Sequence, residues 1–438
     1  MVKTAFIKIW GETVGAVAWD EQQELGIFEY DSTFLKQQWE LSPLKMPTTL
    51  GSRIFSFPEN RPTRNSEFNT FKGLPGLLAD ALPDKYGNQL INLYLAQQGR
   101  PENSMNPVEE LCFIGTRGIG ALEFEPATLK AKANATKIEI DNLVEIAQKM
   151  LQDREAFRTN LKKDEEQAIK QLITIGTSAG GARPKAVIAY NEKTNELRSG
   201  QTKVPLGFEH WLIKLDGVSD VQLGDSHGYG RVEMAYYLMA KEAGIKMMPC
   251  KLLEENGRAH FMTKRFDRDN NTKHHVQTFC AIKHYDFNEV NSFSYEQLFQ
   301  TMRELRLPYT DAEELYRRMV FNVLARNCDD HTKNFSFLLK KGGDWELAPA
   351  YDICHAYRPD SQWVSQHALS INGKRKNIQI SDFITLSKSM NIKNAKRILQ
   401  EVDHAVSQWE SFAREVQVAT AKQKEIKKSL LPLQSLMP

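Results

Sequence analysis

The stretch Asn327-Cys-Asp-Asp-His-Thr-Lys-Asn334, followed by an apolar hairpin pattern and then Ala350-Tyr-Asp352, constrains this chain more than any other feature. An aspartate, an asparagine five positions later and a second aspartate beyond a short hairpin form a known order. It is the order in which phosphoryl-transfer sites place the group that takes the hydroxyl proton and the two that hold Mg²⁺. Mg²⁺ takes hard oxygen ligands, so carboxylate and amide oxygens must converge on it from two backbone segments. Phe335-Ser-Phe-Leu-Leu339 reads as a strand, Lys340-Lys-Gly-Gly-Asp344 as a turn and Trp345-Glu-Leu-Ala348 as the returning strand, which carries Asp352 back toward Asn334. Ala312 to Ala325 has the apolar spacing of an amphipathic helix, so Asp329 is expected in a helix-to-strand loop. Asp329 and Asn334 alone would be ordinary turn chemistry. The hairpin and Asp352 turn the pattern toward a site.

At 438 residues the chain is long enough for two or three domains. A net charge of +2 argues against a polyanion as its own main partner, leaving room for a local basic patch. No apolar run reaches bilayer length, and Met1-Val-Lys-Thr-Ala-Phe-Ile-Lys8 is interrupted by charge too early for a secretory signal; the expectation is a cytoplasmic protein with no membrane partner. The five cysteines, Cys112, Cys250, Cys280, Cys328 and Cys354, are far apart and suit reduced thiols.

The organisation reads as three parts: a β-rich subdomain over 1–126, a lobe with connector helices, a glycine loop and a lysine strand over 127–266, and a mainly helical lobe over 267–438. Phe6 to Trp10, Gly15 to Trp19 and Gly26 to Tyr30 read as strands, and a helix is expected near Tyr86 to Gln98. The leading part is expected to be a small separate module. Trp409 and Phe412 form a stripe suited to a core.

Gln171-Leu-Ile-Thr-Ile175 reads as a strand, Gly176 to Pro184 as a flexible loop and Lys185 to Tyr190 as a second strand, the arrangement with which a kinase lid covers ATP phosphates. Gly181 is not followed by Lys-Ser or Lys-Thr, so this is no Walker loop. Gly180 and Gly181 would let backbone N–H groups approach phosphate without a Cβ clash. Lys214, in His210-Trp-Leu-Ile-Lys-Leu215, is placed to aim an ammonium at those phosphates. Glu233 on the next helix either pairs with Lys214 or is solvated at the helix start. Phe261 to Asp267 reads as a strand leading to a hinge, with Phe266 backbone near adenine and Asp267 near the ribose.

These residues resemble the HipA family of bacterial serine/threonine kinases, toxins of type II toxin–antitoxin systems. The resemblance spans nearly the whole chain through G-T-S-A-G-G-A-R-P-K (176–185), H-W-L-I-K (210–214), K-R-F-D-R (264–268), D-D-H-T-K-N (329–334) and L-A-P-A-Y-D (347–352), with further motifs before residue 126. It implies an α+β, two-lobed kinase-like fold that uses ATP and Mg²⁺. Asp329 is then the catalytic base, with His331 where typical kinases place a γ-phosphate lysine. Asn334 and Asp352 hold the metal, and Lys214, Gly180, Gly181, Ala182, Phe266 and Asp267 contact the nucleotide. Ser178, or else Thr177, is the self-phosphorylated residue, where added negative charge would expel the loop and inactivate the protein. The resemblance also implies a small helix-turn-helix, HipB-like antitoxin that supplies the DNA contacts, and a protein substrate that is an aminoacyl-tRNA synthetase in family members. Arg183-Pro184 departs from the family's glutamine–glutamate pair. Two other classes remain open: a catalytically weak corepressor module, and a metal hydrolase built on Asp329, Asp330 and His331.

Overall fold

In Thr4–Ile9 the apolar residues alternate, so Ala5, Ile7 and Ile9 are fully buried while Thr4 and Phe6 face out, and the segment folds as strand β1. Trp10 (φ 50°) and Gly11 (φ 88°) make the left-handed turn into β2, Glu12–Asp20, the backbone that a tight hairpin demands. β3 (Leu25–Tyr30), β4 (Ile54–Phe55) and β5 (Leu122–Glu125) complete a sheet of order β4-β3-β2-β1-β5. This computed structural model describes residues 2–49, 53–62, 70–129, 135–152, 171–176, 183–201, 203–218 and 227–437.

Contacts divide the chain into two compact units. One holds Met1–Leu41, Met46–Gly230 and Lys251–Val276, and the other Ser42–Lys45, Arg231–Cys250 and Gln277–Pro438. In the first unit a second sheet, order β7-β6-β8-β10-β9, is built from β6 (Lys185–Asn191), β7 (Glu196–Ser199), β8 (Glu209–Lys214), β9 (Cys250–Glu255) and β10 (Arg258–Lys264). By contacts the leading residues fall in the same unit as this sheet. Tyr86 and Leu90 from helix Lys85–Gln97, Phe113 from helix Pro107–Ile114 and Leu143 from helix Ile140–Gln152 share one core with Ile188, Trp211 and Met262 of this sheet.

Residues 171–176 are helical, where a strand was expected. A five-residue apolar run fits a buried helix turn as well as a strand, and burial decides here. Leu172, Ile173 and Ile175 are at most 1% exposed within that same core, and a Cβ on Gly176 would meet Leu90 Cδ1 at 2.7 Å. Glycine therefore permits the close approach. Thr177, Ser178, Gly180, Gly181 and Ala182 lie outside the described residues.

The second unit is mainly helical. Helix Tyr309–Leu324 buries Leu315, Met319, Val320 and Phe321 completely and packs along helix Ala395–Ser407, whose Ile398, Val402 and Ala405 face it at the spacing of one helical stripe. Trp409 is 1% exposed, in the core as its spacing implied. Strands Ser336–Leu339 and Trp345–Leu347 pair antiparallel, with Phe337 opposite Leu347 and Leu339 opposite Trp345. The hairpin read from the sequence is therefore present. The architecture is α+β. Among the described residues no helix is long and apolar enough to cross a membrane.

Candidate active site

Helix Tyr309–Leu324 stops at Ala325, and Arg326 takes a left-handed backbone (φ 57°) that turns the chain out of the helix axis. Asn327 fixes the exit: its N–H donates to Asn322 O at 2.9 Å and its side-chain amide to Asn322 Oδ1 at 2.9 Å. The Cys328 N–H then pairs with Ala356 O at 3.0 Å, so the loop before Asp329 lies beside the segment that follows Asp352.

The two adjacent aspartates have opposite environments. The Asp330 carboxylate is 1% exposed and accepts from Tyr295 Oη at 2.8 Å, from the Ala368 N–H at 2.8 Å and from His367 Nδ1 at 3.0 Å. Burial disfavours the His367 imidazolium, but the Asp330 carboxylate, helped by Cys328, outweighs it and pushes the histidine up to about 10. Burial and then the same carboxylate hold the Tyr295 phenol well above its usual range, as a neutral donor. The Asp330 anchor thus fixes the backbone of its neighbour. Asp329 itself is half exposed, with Oδ1 3.9 Å from His331 Nε2. The His331 ring is held by its Nδ1, which accepts from the Lys333 N–H at 3.2 Å and caps the 3-10 turn Thr332–Asn334, and by Phe287 at 5.1 Å between ring centroids.

Asn334 closes the loop on itself: its Nδ2 donates to the Asp329 backbone carbonyl at 2.6 Å. With nitrogen turned to that carbonyl, Oδ1 remains as a hard oxygen donor. Beyond the hairpin, Ala350 bridges to Met247, and Tyr351 Oη donates to Lys333 O at 2.7 Å. Asp352 follows in a left-handed conformation (φ 52°), uncommon for a residue with a side chain. Asn334 and Asp352 line one small cavity, together with Asn322, Asn327, Asp330 and Tyr351. An amide and a carboxylate oxygen from two segments suit Mg²⁺, which keeps several waters and takes its other ligands from substrate phosphates. Among the described residues no group of three or more His, Cys, Asp or Glu side chains is arranged to hold a metal by itself. Asp330, committed to His367 and Tyr295, is withdrawn from the trio that a hydrolase reading would need.

In the other unit, Lys214 ends β8 and is paired in register with Lys185 on β6 and with Phe261 on β10, its Nζ 5.8 Å from the Phe261 ring centroid. Directly opposed side chains share a face of the sheet. Lys185, only 4% exposed, is a residue that sequence reasoning passed over. It was read as the start of a strand, and only the register reveals its partner. Arg183 stacks on Tyr229 at 3.7 Å. Glu233 is buried on helix Tyr229–Glu242.

Phe266 and Asp267 lie in the turn after β10. Asp267, expected near a ribose, sits in a buried arginine cluster. It is 2% exposed, with Oδ1 accepting from Arg265 Nε at 2.8 Å and Oδ2 accepting from Arg265 Nη2 at 2.6 Å, Arg268 Nη1 at 2.7 Å and the Gly120 N–H at 2.7 Å. Burial would raise this carboxyl, yet Arg265 and Arg268 hold it well below the usual carboxylate range. Arg268 also donates to Gly118 O and Gly120 O, so the cluster ties the approach to β5 onto the turn after β10. Asp267→Asn is expected to destabilise the fold by about 1.5–3 kcal/mol, the cost of weakening charged hydrogen bonds in a buried cluster. Thermal melts check this; an unchanged melt with weakened nucleotide binding would restore the ribose role.

Comparison with known proteins places this geometry in a family. The HipA-like C-terminal domain matches residues 177–409 and the HipA N-terminal domain residues 5–125. A Sinorhizobium fredii protein named "Putative kinase Y4mE" is 26% identical over 193 residues, 41% of this chain and 39% of the relative. A Haemophilus influenzae protein named "Putative kinase" is 32% identical over 102 residues, 21% of this chain and 30% of the relative. The chain therefore spans well under half the length of these curated relatives. The HipA chain in a Shewanella oneidensis MR-1 structure of HipA, HipB and operator DNA superposes with a TM-score of 0.65, covering 97% of this chain and 98% of that one at 17% identity, a likeness of fold. With its two domains matched over most of its length, the chain belongs to the HipA family and has the HipA fold.

Proposed function

We propose that this protein is an ATP- and Mg²⁺-dependent serine/threonine kinase, the toxin of a toxin–antitoxin pair. The observation that carries the reading is that Asn334 and Asp352 line one cavity while the Asn334 amide holds the backbone of Asp329. Asp329 takes the proton of an acceptor hydroxyl as its oxygen bonds the γ-phosphorus, and ADP leaves with the bridging oxygen. When bound, Mg²⁺ neutralises charge on the transferring group, and the Asn334 and Asp352 oxygens hold it. Lys214, with Lys185 opposite it across β6 and β8, contacts the ATP phosphates. His331 takes the place of the γ-phosphate lysine of typical kinases. Gly180, Gly181 and Ala182 approach the phosphates through their backbone, and the turn at Phe266 offers backbone to adenine.

By analogy with the HipA–HipB–operator DNA complex, the partner is a HipB-like helix-turn-helix antitoxin that makes the DNA contacts. The substrate is a protein of translation, an aminoacyl-tRNA synthetase in the family pattern, and the working compartment is the cytoplasm. Self-phosphorylation falls on Ser178, with Thr177 second. Incubation of the purified protein with γ-labelled ATP and Mg²⁺, followed by mass-spectrometric mapping, should find phosphate on Ser178, and Ser178→Ala should lose most of the incorporated label. Label spread over unrelated surface residues would sink the Ser178 assignment. No label from unmodified protein would favour the corepressor reading.

A further inference from the structure

We infer that the open cleft of about 680 Å³ lined by Asn291, Gln366, Lys374, Arg375, Lys376 and Gln379 docks an acidic segment of the protein substrate. The inference rests on the kinase reading for the meaning of "substrate", though the cleft itself is defined without it.

The loop that carries the cations is built, not merely exposed. Asn372 (φ 50°), Gly373 (φ 76°) and Asn377 (φ 53°) take left-handed backbones that bend it outward. Its base is held by Asp382, 2% exposed, which accepts from Lys374 Nζ at 2.9 Å, Asn372 Nδ2 at 2.9 Å and the Gln379 N–H at 2.8 Å. Arg375 donates to the backbone carbonyls of Phe293, at 2.8 Å, and Ala368. These hydrogen-bond partners are neutral, the Asp330 carboxylate acts on Arg375 through space, and Lys376 stands exposed beside it. Lys374 is paired with Asp382 and the Glu296 carboxylate caps the loop at the Asn372 N–H, so among the described residues Arg375 and Lys376 are the lining cations with no hydrogen-bonded carboxylate.

Both walls reach back to the catalytic loop. Ala368, whose carbonyl accepts from Arg375, donates its N–H to Asp330, the neighbour of Asp329. On the other wall, Asn291 accepts from Gln366 Nε2 at 2.6 Å and lies in a loop whose Phe293 stacks on Tyr285 and whose Phe287 packs against His331. A chain seated here therefore lies on the framework that positions the proton acceptor.

The chemistry favours a peptide over a nucleic acid. Nucleic-acid sites neutralise about 6–10 phosphates, and two cations fall far short. The amides of Asn291, Gln366 and Gln379 offer donors and acceptors together, which match a peptide backbone, whereas a phosphodiester backbone only accepts.

The test is fluorescence anisotropy of the full chain with a labelled Glu-rich, Ser-containing peptide, beside a Gln-for-Glu peptide and a single-stranded oligonucleotide of equal charge. The wild type is expected to bind the acidic peptide at least about tenfold more tightly than the neutral one, with affinity falling as salt rises. Lys376→Glu, on an exposed side chain, should weaken it at least about fivefold. Self-labelling by γ-labelled ATP should stay unchanged in that variant and be lost in Asp329→Gln, which should still bind the peptide. Equal affinity for both peptides, no effect of Lys376→Glu, or tighter capture of the oligonucleotide through the same lysine would each overturn the inference. Peptide binding without phosphoryl transfer would instead overturn the kinase reading and leave the docking surface standing.

Discussion

Asp329→Gln is expected to cut phosphoryl transfer by about 10²–10⁴-fold, the range over which a positioned general base contributes. Glutamine keeps the shape and the hydrogen-bonding oxygen but cannot take a proton from the acceptor hydroxyl. Asp329 is half exposed and its 3.9 Å approach to His331 Nε2 is too long for a hydrogen bond, so the fold loses nothing that holds it together. Stability should stay within about 0.5 kcal/mol of wild type. Initial rates of γ-label transfer and a urea melt, run on the same preparation, check both halves. Retained transfer would remove Asp329 from the chemistry, and a large loss of stability would make it structural.

Its neighbour should behave in the opposite way. Asp330→Ala leaves the His367 imidazolium, the Tyr295 hydroxyl and the Ala368 N–H buried without their acceptor, and breaking a buried pair of this kind costs about 3–5 kcal/mol. His367 is held up to about 10 in the folded protein, above the ordinary histidine value of about 6.5 in the unfolded chain. The folded state therefore binds its proton more tightly. The resulting stabilisation is fully present below about pH 6.5 and is lost as pH rises through about 10. Urea melts at pH 6, 8 and 10 should show stability declining on the alkaline side in wild type, with the histidine's share of that decline missing in Asp330→Ala. A variant as stable as wild type at pH 6 would contradict the anchor.

The hairpin after Asn334 was legible because each of its parts has a local cause. Phe337 and Leu339 alternate with a returning Trp345 and Leu347, the glycines mark the turn between them, and the preceding helix carries its own stripe. The role of Asp330 was not legible, because its partners Tyr295 and His367 are 35 and 37 residues away and no local pattern announces a long-range buried pair. Lys185 was hidden for the same reason: only cross-strand register sets it opposite Lys214. The helix at 171–176 escaped because β-branched residues read as strand formers, and tertiary burial overrode that preference. Asp267 carried a plausible local motif, and what the motif omitted was the Gly120 N–H, 147 residues earlier, that completes its cluster.

The most direct test of the central claim, that Asn334 and Asp352 form one metal site for a nucleotide, is the affinity for Mn²⁺ in the presence of ATP, read by electron paramagnetic resonance of bound against free Mn²⁺. Wild type should bind the Mn²⁺–ATP complex, and Asn334→Ala and Asp352→Ala should each weaken it by about 10-fold or more while melting as folded proteins. Unchanged Mn²⁺ binding in both variants would contradict the account.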